Sequence, residues 1–101
     1  MSIQTPYGFQ YEAVAANQSA QVLGGTGATG DHLHNIVINV TTSGAGGTVT
    51  LLDGSTSTVI VPASTPVGCY WMSFDVLSTT GPWKVTTGTG ASVIATGIFS
   101  A

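Results

Sequence analysis

The sequence predicts an all-β chain of seven or eight short antiparallel strands, arranged as a β-sandwich or a small barrel. Three observations carry this. No stretch sustains the 3.6-residue period of an amphipathic helix. Runs of alternating apolar and polar residues, rich in β-branched Val, Ile and Thr, recur about every 10 residues. Clusters of Gly, Ser, Thr and Pro separate those runs.

The elements follow in chain order. Residues 9–15 and 20–23 supply two strands, although 11–20, with Glu12, Ala13, Ala15, Ala16 and Ala20, is the best helical candidate in the chain. The clearest strand covers 32–42. Ile36, Ile38 and Val40 share one of its faces and Asn35, Asn39 and Thr41 the other, with Val37 on the second face. Residues 43–47 form a Gly-rich loop, and 48–52 form a strand ended by Asp53-Gly54, a hairpin signal. The return strand, 58–61, stops at Pro62, and 62–66 is a loop because proline donates nothing to a central ladder. Residues 68–77 make a long strand with Tyr70, Met72, Phe74 and Val76 on one face; if that face is core, Trp71 points outward. Gly81-Pro82 turns the chain into a strand at 83–87, and Gly88-Thr89-Gly90 turns it again. The last strand, 92–99, is apolar on both faces through Val93, Ile94, Ile98 and Phe99, which suits a sheet whose outer side meets another subunit. Residues 1–8 are expected to be an N-terminal arm and 9–101 a single domain.

Only Glu12, Asp31, Asp53, Asp75 and Lys84 are formally charged, five of 101 residues, against about 25% in an ordinary soluble domain. One Lys cannot neutralise a row of phosphates, so no nucleic-acid partner is expected. No apolar run approaches the roughly 20 residues that span a bilayer, so no membrane partner is expected either. The N-terminus lacks the basic and apolar regions of a signal peptide, which points to a protein made and kept in a cytoplasm. Without a secretory route, the sequons at Asn17 and Asn39 carry no meaning. Cys69 is the single cysteine, and its apolar surroundings predict a buried, inert thiol.

The chemical motifs are weak. Gly25-Thr26-Gly27-Ala28-Thr29-Gly30 spells G-x-G-x-x-G, but a strand rather than a helix follows it, so it is expected to be an inter-strand loop and no cofactor is implied. His32 and His34 project from one face of a strand and could chelate an ion. Two ligands do not make a site, Asp31 points the other way, and the other acids are scattered, so no metal is expected. One histidine is instead expected to bond a loop carbonyl and the other to line a subunit contact, with a pH-sensitive contact as an open alternative. Cys69, His34 and an acid can be spelled into a triad, but no G-x-S-x-G elbow or carboxylate pair is evident, and no enzymatic activity is expected. Tyr7, Phe9, Tyr11, Trp71 and Trp83 are the aromatic residues expected to anchor protein contacts; a sugar-binding platform is the other use of such residues.

Several segments carry a resemblance. Tyr11-Glu12-Ala13-Val14-Ala15-Ala16, Ala20-Gln21-Val22-Leu23-Gly24, Thr26-Gly27-Ala28-Thr29-Gly30-Asp31 with Leu33, Val49-Thr50-Leu51-Leu52-Asp53-Gly54, the run from Gly81 to Gly88, and Ala95-Thr96-Gly97-Ile98-Phe99-Ser100 together resemble small virion proteins encoded beside the capsid genes of tailed bacteriophages. The resemblance implies a capsid decoration (cement) protein with an antiparallel, jelly-roll-like β-sandwich. Its partners would be the major capsid protein and further copies of itself, as a dimer or trimer, and its place the capsid surface of a virion assembled in the host cytoplasm. The arm at 1–8, with Pro6 and Tyr7, would dock on a neighbour. A carbohydrate- or receptor-binding domain of a phage tail or fibre is the alternative.

Overall fold

The computed structural model describes residues 10–100, which form eight strands and one short 3-10 turn. The strands are β1 (Gln10–Val14), β2 (Gln21–Val22), β3 (His32–Val40), β4 (Val49–Asp53), β5 (Thr56–Val61), β6 (Gly68–Leu77), β7 (Trp83–Thr87) and β8 (Ala91–Ile98), with the 3-10 turn at Gly44–Gly47. They pair as a nested antiparallel ribbon: β4 with β5, β3 with β6, β2 with β7 and β1 with β8. Pairing of β3 with β8 and of β4 with β7 folds the ribbon into two four-stranded sheets, ordered β1-β8-β3-β6 and β2-β7-β4-β5. This is the strand order of a jelly roll. Every connection except the β4–β5 hairpin changes sheet.

The core lies between the sheets, where alternation sends every second residue. Leu33, Ile36, Ile38 and Val40 of β3 and Val93 and Ala95 of β8 meet Val49 and Leu51 of β4, Val61 of β5 and Val85 of β7. At about 1.5–3 kcal/mol per fully buried aliphatic side chain, this layer is the main driving force for folding. The β5–β6 side is thinner. There Ile60, Tyr70, Met72 and Phe74 are only half-buried, because both strands are sheet edges. The β4–β5 hairpin turns through Gly54 and Ser55, with Gly54 at φ +61°, a conformation that disfavours any side chain.

Several expectations are corrected. The helical candidate at 11–20 is strand β1 followed by turns. No α-helix occurs among the described residues. Cys69 is exposed: it shares parity with Trp71, so the alternation that turns Tyr70 inward turns Cys69 outward on an edge strand. Trp83, expected at a contact, is a core residue at 6% exposure, and its indole Nε1 donates to the Asp31 carbonyl at 2.9 Å. The glycine-rich segment 25–30 is the β2–β3 loop and leads into a strand, as expected. The arm at 1–8, and with it Tyr7 as well as Phe9, lies outside the described residues.

Candidate functional site

The acids divide into three that hold loops and one that faces solvent. Glu12 accepts from Gln21 Nε2 at 2.8 Å and from the Gly24 amide at 2.9 Å, tying β1 to the β2–β3 loop. Buried Asp31 accepts from the Ala28 amide at 3.0 Å and from the Ser100 amide and hydroxyl at 2.9 and 2.7 Å. Asp53 accepts from the amides and hydroxyls of Thr79 and Thr80, pinning the β6–β7 turn to the β4–β5 hairpin. Burial works against the Asp53 charge, but these donors outweigh it and hold its pKa below the usual carboxylate range. A depression of about 360 Å³ beside β1 is lined by Gln10, Tyr11, Glu12, Gly24, Gly25 and Phe99. Its carboxylate is the Glu12 already engaged as a loop tie.

Asp75 is different. It lies on β6 at φ +56°, a backbone region that non-glycine residues seldom enter. Between the pairs Leu33↔Val76 and Asn35↔Ser73, β3 has one residue, His34, where β6 has two, Phe74 and Asp75. Against β8 the same stretch of β3 carries one residue too many. This double irregularity is the kind of local kink that re-aims side chains. His32 Nε2 stands 2.6 Å from Asp75 Oδ1, and His34 Nδ1 stands 3.8 Å from the same oxygen. The two imidazole centroids are 6.1 Å apart. The expectation that the acids are scattered away from the histidine pair is therefore corrected for Asp75, which reaches it from 43 residues along the chain.

This cluster belongs to a wider surface, the outer face of the β1–β8–β3–β6 sheet. Cross-strand partners share a face. The register therefore lines up Ala13, Ile94, Val37 and Trp71 as one apolar row running across all four strands. A second row joins Ile98, His32 and Leu77. Between them lie Thr96, Asn35 and Ser73, with Tyr11 beside Thr96. Tyr11 and Trp71 are 74% and 68% exposed, and Leu77, Ile98 and Ile94 are exposed as well. Among the described residues Asp75 is the only Asp, Glu, Lys or Arg on this face; Glu12 of β1 pairs with inward Ala95, and Lys84 sits on β7 of the other sheet.

Of the residues singled out from sequence, Tyr11 and Trp71 both lie on this face, on its two opposite edge strands, and Trp83 does not. Ile94, Ile98, Val37 and Leu77 complete it. The two-faced apolar pattern of the last strand was the signal for Ile94 and Ile98, and the second-face position of Val37 was its own; Leu77 had none. Asp75 had no local signal, since its place depends on the β3–β6 register. Cys69 pairs with Asn39, near the opposite end of β6 from Asp75, so the triad spelled from Cys69 and His34 is not assembled. No protein-family model, curated protein or solved structure matches the chain.

Proposed function

We propose that the chain is a structural, protein-contact module, a decoration or cement protein that stabilises the head of a tailed bacteriophage by binding across neighbouring major capsid protein subunits. The observation that supports this is the outer face of the β1–β8–β3–β6 sheet, with its apolar row through exposed Ile94, half-buried Val37 and exposed Trp71 and, among the described residues, a single carboxylate. A face so poor in charge can be covered by a partner without the heavy desolvation cost that ion-rich surfaces carry. Each large apolar side chain covered returns about 1.5–3 kcal/mol. Hydroxyl and amide groups of Asn35, Ser73 and Thr96 between the apolar rows, and of Asn39 on the far side of the Val37 row, supply neutral hydrogen bonds. Assembly as a dimer or trimer would present several such faces at one capsomer junction.

The test is co-sedimentation of the purified chain with expanded empty heads of the phage whose genome encodes it. The expected result is binding that a Trp71→Ala, Ile94→Ser double variant weakens by about thirtyfold, the roughly 2 kcal/mol of a contact hot spot. Failure of the unaltered chain to sediment with heads overturns the proposal, as does equal binding by the variant. A second reading rests on the exposed indole of Trp71 and ring of Tyr11 among these neutral polar groups, which also suit a sugar platform of a tail or fibre domain. Retention of an oligosaccharide on a glycan array, lost in Trp71→Ala, would favour that reading.

A further inference from the structure

We propose that His32, His34 and Asp75 form a binding site for a divalent transition-metal ion of the zinc class. Each offers one ligand atom, and the three atoms lie within 4.8 Å of one another. Donors about 2.0–2.1 Å from a tetrahedral zinc ion stand about 3.3 Å apart. The separations of 2.6 Å and 3.8 Å from Asp75 Oδ1 straddle that value. Small side-chain rotations therefore reach a coordinating geometry, with no change of fold.

Three further features fit an ion. Two imidazoles and one carboxylate are a borderline donor set, suited to zinc, nickel or copper, whereas magnesium and calcium favour oxygen alone. The ligands come from adjacent strands of a hydrogen-bonded sheet, which fixes their backbones, and Asp75 adopts its left-handed conformation within this cluster. Finally, no competing cation is at hand among the described residues: the chain has a single Lys or Arg, Lys84, and it belongs to the other sheet. The histidines are half-buried and Asp75 is exposed, so an ion enters from solvent and water fills its remaining positions. The cluster sits on the outer face and not between the sheets, so the site is an external one, open to a neighbouring molecule.

The experiment is a titration of the untagged full-length chain with Zn2+ by calorimetry, repeated with Co2+ to read the visible absorption of the ligated ion. The expected result is one equivalent of Zn2+ per chain, a Co2+ spectrum showing nitrogen ligation, and a melting temperature raised by Zn2+ but not by Mg2+. Loss even of a group that only orients a ligand costs about 10–100-fold in affinity, so His34→Gln and Asp75→Asn should each weaken binding by about tenfold or more. Circular dichroism in the presence of a chelator checks that both variants keep the fold. Substoichiometric uptake by the unaltered chain overturns the proposal. So does Zn2+ binding that a folded His32→Gln, His34→Gln double variant retains in full.

Discussion

Asp31 closes the structure at a single point, and its removal has a calculable effect. Its carboxylate accepts three hydrogen bonds, from the Ala28 amide and from the Ser100 amide and hydroxyl. Its carbonyl accepts from the Trp83 indole and the Ser78 amide, so the same residue braces the core tryptophan. Hydrogen bonds to a charged group contribute about 1.5–3 kcal/mol each. Ala28 and Ser100 are only half-buried, and their freed donors can find water, which brings the total for Asp31→Ala below the roughly 4.5 kcal/mol minimum of three such bonds, to about 3–4 kcal/mol. In a domain of this size that corresponds to a fall in melting temperature of roughly 15 °C or more. Asp31→Asn keeps one oxygen for the two amides and loses mainly the charge, so about 1–2 kcal/mol is expected. Thermal unfolding followed by circular dichroism gives the two numbers. Hydrogen exchange gives the location. The Thr26 and Gly27 amides donate to the Ser100 carbonyl, so they and Ser100 should exchange faster in Asp31→Ala while the central amides of β3 stay protected. A melting temperature within about 3 °C of the unaltered chain would refute the reasoning, because even one charged hydrogen bond is worth more than that.

Two other outcomes follow from the same structure. The pKa of Asp53 is lowered in the folded state, so its contribution to stability is complete above the ordinary carboxylate pKa of about 3.9 and is lost as pH falls through the lower, folded value. Urea midpoints measured from pH 6 downward should show a fall at the acid end that is smaller in Asp53→Asn; identical profiles would remove Asp53 as the cause. Gly97 of β8 has no room for a side chain, since a Cβ there would lie 2.1 Å from the His32 carbonyl oxygen, which is backbone and cannot rotate away. Gly97→Ala should therefore cost about 1–3 kcal/mol, read as a shift in the urea midpoint, and an unshifted midpoint would contradict the packing at that point.

The strands and turns were largely legible because their signals are local. Gly68–Leu77 and Trp83–Thr87 coincide with their expected bounds, since Gly and Pro punctuate both ends of one and begin the other. Asp53-Gly54 marked the hairpin through the backbone freedom of one glycine. The outward direction of Trp71 followed from alternation against Tyr70 and Met72. Cys69 obeys the same alternation and is exposed, because an apolar neighbourhood along the chain is not an apolar neighbourhood in space.

What the amino-acid order determined by itself was the all-β character, the turn positions, the shortage of ionisable groups and the parity of each strand, all of which depend on residues a few places apart. The tertiary structure alone decided which strands became neighbours. That choice put Trp83 over Asp31, aligned Ile94 with Val37 and Trp71, and brought Asp75 to His32 and His34. The physical reason is that a jelly roll pairs strands far apart in the chain, and one irregularity of register between β3 and β6 determines which side chains meet.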